Sequence, residues 1–67
     1  MRYLAEVICV DNGNRIGVGV ALEIPDAVRN AFSTSLAERY SAGEYLVEVC
    51  LADEEEIEDS LQRFRRD

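Results

Sequence analysis

Carboxylates are the main chemically active groups in this sequence. Six of the seven residues from Asp53 to Asp59 are acidic, and the chain contains neither histidine nor lysine. Fourteen acidic residues against seven basic ones give a net charge of −7. Paired carboxylates can act as general acid and base, but a chain of 67 residues is too small to enclose a substrate cleft. We therefore expect no enzymatic activity.

Two cysteines, Cys9 and Cys50, are the other reactive side chains. Alternation along the strands predicted below places them on opposite faces of a sheet, which argues against a disulfide and against shared metal ligation. A nucleophilic cysteine needs a nearby base, and there is no histidine to supply one. The sequence predicts a buried structural thiol at Cys9 and no catalytic, cofactor or metal site. With no signal-peptide pattern, it also favours a cytoplasmic protein.

A hairpin is predicted around the segment Asp11-Asn12-Gly13-Asn14. This segment lacks the closing glutamate of a calcium loop, whereas Asn-Gly is typical of a two-residue turn between strands. A turn at Asn12-Gly13 joins strands over residues 2–10 and 15–24. It pairs Val7 with Val18, so that the apolar residues of both strands share one face.

Gly17 and Gly19 alternate with the valines of the second predicted strand. They leave a bare strip along one face of the sheet. Such a strip is typical either of a weak edge strand or of close backbone approach by a partner.

The remaining elements follow from apolar spacing and end signals. Pro25 suits the first turn of a helix, and Gly43 suits its end. Residues 44–51 read as a third strand, and Asp53 can cap a final helix. The apolar stripes of the two helices are Val28, Phe32, Leu36 and Tyr40 in the first, with Ala31 beside them, and Ile57, Leu61 and Phe64 in the second.

The order ββαβα predicts a single small α+β domain over residues 1–67. A right-handed crossover through the first helix makes the third strand parallel to the second. We expect a three-stranded antiparallel sheet of order 2-1-3, with the third strand beside the first. We expect two helices packed on one face, which is lined by Val7, Val18, Val20, Val47 and Val49. The other face then exposes an apolar surface, which invites a partner or a second copy of the chain in a homodimer. Its residues are Leu4, Ile8, Val10 and Leu46.

The acidic run has two interpretations. It can be a solvated helix start, because carboxylates are favoured near the positive end of the helix dipole. It can also be a phosphate-like surface for a nucleic-acid-binding protein. The run places like charges four residues apart on the helix, which costs stability and is not needed for capping. On the second interpretation the partner-binding residues are Glu54, Glu55, Glu56, Glu58 and Asp59, with the apolar surface of the sheet as the alternative.

These features favour a non-catalytic acidic protein-binding module. In size, charge and lack of catalytic residues, the chain resembles the small acidic inhibitors of phages and mobile elements, including anti-CRISPR proteins. That resemblance implies a protein partner whose basic groove otherwise binds nucleic acid. The net charge of −7 disfavours direct binding to nucleic acid, and no apolar run is long enough to cross a membrane.

A small antitoxin or a regulatory subunit of a larger complex is the alternative function. Met1-Arg2-Tyr3 leading into a hairpin, followed by Ile24-Pro25-Asp26, resembles HicB-like antitoxins. The Leu-Pro-Gly-Cys segment typical of that family after this point is absent from the chain.

Overall fold

The computed structural model describes residues 1–11, 13–33 and 44–66. Its elements are β1 (Arg2–Cys9), β2 (Arg15–Ala21), α1 (Ile24–Ser33), β3 (Tyr45–Ala52) and α2 (Glu54–Arg66). The sheet has the order β2-β1-β3, and both strand pairs are antiparallel. The predicted α+β class, element order and strand order are confirmed.

The two helices pack on opposite faces of the sheet. Helix α1 packs against Ala5 and Val7, whereas α2 packs against Leu4 and Val18. Leu4 and Ala5 are neighbours in one strand, so their side chains point to opposite faces. The prediction that both helices share one face is therefore wrong. Only Asp53 separates β3 from α2, and Ala52, the last residue of β3, is buried in the cluster beneath α2.

The β1–β2 register also differs from the predicted one. The hairpin is closed by two bonds, in which Cys9 N–H donates to Asn14 O (2.9 Å) and Gly13 N–H donates to Cys9 O (2.8 Å). Four residues therefore lie between the closing pair, instead of the predicted two, and Gly13 adopts a positive φ of 73°. Asn12 lies outside the described residues.

A register shift between Val7 and Ile8 also alters the pairing of β1 with β2. Val7 pairs with Gly17, not with Val18 as predicted, and Ala5 pairs with Gly19. The glycines of β2 thus share a face with Ala5 and Val7, and the valines turn to the α2 side.

Helix α1 lies unusually close to β2. A Cβ atom placed on Gly19 would collide with the backbone of α1 at Ala31 N and Ala27 O, and would lie 2.7 Å from Asn30 C. The buried residues of α1 are accordingly the small ones, Ala27 and Ala31. At Gly19 the bare strip therefore serves close approach by the protein's own helix.

The predicted stripe of α1 is only partly correct. Val28 is half-buried against the α1-side core, but Phe32 is 47% exposed. Leu36, Tyr40 and Gly43 lie outside the described residues. No helix in the described part of the chain is long and apolar enough to cross a membrane.

Candidate partner-binding surface

Helix α2 is held in a defined orientation at its start and along one side. Asp53 Oδ1 accepts a hydrogen bond from Glu56 N–H at 2.9 Å, which confirms the predicted cap. Ile57 is buried, and Leu61 and Phe64 are half-buried against the sheet. The predicted stripe of α2 is thus confirmed, and the acidic side chains around it are presented to solvent from a fixed helix.

Two of the five candidate carboxylates already have a partner within the protein. Arg2 donates through one nitrogen to both oxygens of Glu54, at 2.9 and 3.0 Å. Asp59 forms an ion pair with Arg63, one turn further along α2. The pair formed by Arg2 ties the start of α2 to the start of β1, which is an exposed link of small energetic value.

Glu55, Glu56 and Glu58 are the carboxylates of this run without an ion pair among the described contacts, and Glu55 and Glu58 share one side of the helix. Both are exposed, and neither forms an ion pair or side-chain hydrogen bond with any residue in the described ranges. They lie three residues apart, which places them on one side of the helix. Together with Glu56, Asp59 and Gln62 they line an open depression on the outer side of α2.

The alternative apolar surface is broken up by α2. Leu4 is 5% exposed because it lies beneath this helix, so it is not available to a partner. Ile8 is half-buried, while Val10 and Leu46 are 54% and 50% exposed. Of the apolar surface expected from the sequence, only Val10 and Leu46, at one end of the sheet, are well exposed.

A polar cluster that the sequence did not reveal lies between α2 and the sheet. Glu6 forms an ion pair with Arg15, and Ser60 Oγ, from α2, donates to Glu6 Oε2 at 3.2 Å. Ser60 is buried. The adjoining groove has a volume of about 210 Å³, below the roughly 300–1,000 Å³ of small-molecule sites. This cluster therefore fits a role in fixing α2 on the sheet. Glu6 and Ser60 lie 54 positions apart in the chain, so no local sequence signal points to this cluster.

Cys50 is the exposed one of two free thiols, and Cys9 is buried as predicted. Partial desolvation raises the pKa of Cys50, and the nearby carboxylates of Glu6, Glu56 and Glu48 raise it further. A raised pKa lowers the thiolate fraction at neutral pH and hence the nucleophilicity. The site around Cys50 is the opposite of the electropositive setting that activates a catalytic cysteine.

We predict that Cys50 reacts slowly with iodoacetamide at pH 8, with its pH midpoint above that of an ordinary thiol. Replacing Glu48 and Glu56 by glutamine removes two of the charges that raise the pKa, so the rate at pH 8 should rise about twofold or more. Mass spectrometry of the native protein over a pH series measures this. Glu23→Gln, at an exposed position on no described element, is the control and should change nothing. An unchanged rate in the double variant would contradict the electrostatic cause.

Comparisons of the chain with family models, with curated proteins and with solved structures find no match.

Proposed function

We propose that the protein is a non-catalytic acidic binding module that competes with nucleic acid for a basic groove on a protein partner. The observation that carries this proposal is the pair of exposed, unneutralised carboxylates of Glu55 and Glu58 on a helix whose other side is fixed to the sheet. A module of this kind would act as an inhibitor, as the anti-CRISPR-like proteins of phages and mobile elements do.

The density of charge along α2 supports this mode of binding. Residues 54–59 hold five carboxylates over a helical rise of about 9 Å, or roughly one charge per 2 Å, and duplex DNA carries one per ~1.7 Å of axis. After the pairs with Arg2 and Arg63, three carboxylates stay unneutralised among the described contacts. From Glu55 to Glu58 these three span a helical rise of about 4.5 Å, so their charge density lies between that of a single DNA strand, at ~3.4 Å per charge, and that of the duplex.

The chemistry of a carboxylate row selects arginine and lysine on the partner. Guanidinium groups bind carboxylates through two parallel hydrogen bonds, as they bind phosphates. An exposed contact of this kind acts mainly on the association rate and weakens as salt screens it. Two free thiols are consistent with action in a reducing compartment such as the cytoplasm.

The proposal predicts that the double variant Glu55→Gln, Glu58→Gln binds its partner at least tenfold more weakly, a loss of about 1.4 kcal/mol. The partner is first captured from a cell lysate at low salt, released with high salt and purified, and duplex DNA is then tested for its ability to displace it. Affinity and association rate are measured at 50 to 300 mM salt. Most of the loss should lie in the association rate, and the difference from the parent should shrink as salt rises.

A matched control separates position from total charge. Asp11→Asn with Glu23→Gln also removes two exposed charges, but away from α2, and should leave affinity within about twofold. Neither pair should lower stability, since removing like-charge neighbours on α2 relieves a few tenths of a kcal/mol. Equal binding by the α2 variant and the parent at every salt concentration, or a partner that DNA does not displace, would refute the proposal.

A further inference from the structure

The two edges of the sheet differ in their accessibility. At the outer edge of β2, Asn30 Nδ2 from α1 donates to Val20 O at 3.1 Å, and the pairing of β2 with β1 is broken by the register shift. Strand β3 instead pairs with β1 in an unbroken register of eight residues, from Arg2↔Ala52 to Cys9↔Tyr45. Among the residues that the structure covers, no strand pairs with the outer edge of β3.

One hydrogen bond between β1 and β3 shows which backbone groups of β3 point to its outer edge. Val10 N–H donates to Glu44 O at 3.0 Å, which is the bond of a directly opposed pair in the β1–β3 register. Hydrogen-bonded pairs alternate along an antiparallel ladder. Even-numbered residues of β3 therefore bond to β1, and the N–H and C=O groups of Val47, Val49 and Leu51 point away from it.

The side chains of β3 are apolar on the α1 side of the sheet and include one acidic residue, Glu48, on the α2 side. On the α1 side of the sheet, Val49 and Leu51 are 38% and 51% exposed. On the α2 side, Glu48 is exposed between Leu46 and Cys50, which are exposed as well. The strand has no lysine, proline or bulge to protect it from further pairing, and Glu48 is its one charged residue.

The negative charge of the chain determines which kind of segment can pair with this edge. No basic residue occurs between positions 44 and 62, and each chain carries a net charge of −7. A second copy paired along β3 would bring its own Glu48 onto the acidic side, and like charges across strands are destabilising. A segment with arginine or lysine on that side and apolar residues on the other would satisfy both sides.

We propose that the outer edge of β3 binds an extended segment of a protein partner, added as a fourth strand, in which basic and apolar residues alternate. Main-chain hydrogen bonds to Val47, Val49 and Leu51 would supply affinity, and Glu48 would select for the basic residues. The basic character of the partner rests on the proposed function, but the edge itself is independent of α2.

The test uses a blocked nine-residue peptide of alternating valine and arginine as its probe, at 150 mM salt. We expect saturable shifts of backbone amide resonances confined to β3 and its neighbours, and at least tenfold slower hydrogen exchange at Val47 and Val49. A peptide with glutamate in place of arginine should bind at least tenfold more weakly, as should one with proline at its centre.

Two protein variants locate the site. Val49→Lys keeps the backbone and adds a like charge at the edge, so it should weaken binding of the arginine peptide at least tenfold. Leu22→Lys makes the same kind of change at a 74% exposed position off the edge and should leave binding unchanged. Val49→Pro removes only an outward N–H and should abolish the exchange protection at Val47 without unfolding the sheet.

Three results would overturn the inference. Equal affinity for the arginine and glutamate peptides would show that the edge does not select for basic residues. Shifts centred on Glu55 and Glu58 would show that the acidic helix alone binds the peptide, which leaves the proposed function standing. A doubled mass in light scattering that Val49→Lys abolishes would show that a second copy occupies the edge. The proposed function is tested separately: it is refuted if the α2 double variant binds the partner as tightly as the parent, whatever the peptide experiments show.

Discussion

Gly19→Ala is expected to destabilise the domain by about 3 kcal/mol or more. The added Cβ would overlap backbone atoms of α1, Ala27 O and Ala31 N, which no side-chain rotation can relieve. Overpacking usually costs about 1–3 kcal/mol, and we expect the upper end or more here because backbone must move. A domain of this size has roughly 3–10 kcal/mol in all. Urea unfolding followed by circular dichroism measures the loss.

Gly13→Ala is the matched control for this prediction. Nothing lies within 4 Å of a Cβ at Gly13, but its φ of 73° disfavours any residue with a side chain. That strain should cost about 1–2 kcal/mol, less than the change at Gly19. Trimming Ala27 or Ala31 to glycine should not rescue Gly19→Ala, because the overlap is with backbone. Rescue, or a Gly19 variant as stable as the Gly13 variant, would show that α1 does not approach β2 this closely.

Ile57→Ala is expected to release α2 from the sheet. Ile57 is 3% exposed and, with Leu4, Val18 and Ala52, forms the buried cluster under this helix. Truncating a buried isoleucine costs about 2–5 kcal/mol. A detached helix of thirteen residues is only marginally stable in water. The variant should therefore lose helical signal, and the amides of α2 should lose exchange protection before those of β1.

Ile24→Ala makes the same chemical change where the side chain is 46% exposed. We expect it to cost about 0.5–1 kcal/mol and to leave α2 protected. The comparison also bears on function, because α2 can present Glu55 and Glu58 as a fixed row only while Ile57 is docked. If Ile57→Ala kept both stability and the protection of α2, the packing of this helix against Leu4 and Val18 would be wrong.

Local signals along the chain are enough to predict the helices and strands and their order. Local signals suffice where the physics is local: Asp53 caps α2 through a bond to a backbone group three residues away, and Ile57, Leu61 and Phe64 recur at helical spacing. A right-handed crossover then makes β3 parallel to β2, in keeping with the expected strand order 2-1-3. The excess of acidic residues on α2 could also be read directly from the chain.

The strand register and the side on which each helix packs depend on contacts between distant parts of the chain, so they could not be predicted from local signals. Both faces of β2 are buried, so the alternation of valine with glycine does not show which set faces which layer. The glycines face α1 because a helix with Ala27 and Ala31 on its buried side can approach a strand without side chains.

The state of the candidate surface depended in the same way on contacts between distant residues. Arg2 neutralises Glu54 across 52 positions of the chain, and α2 buries Leu4, which the sequence had placed on an exposed face. The chain alone determines how many charges α2 carries. Packing determines which of them are left for a partner, because an ion pair or a buried side chain requires residues that only the fold brings together.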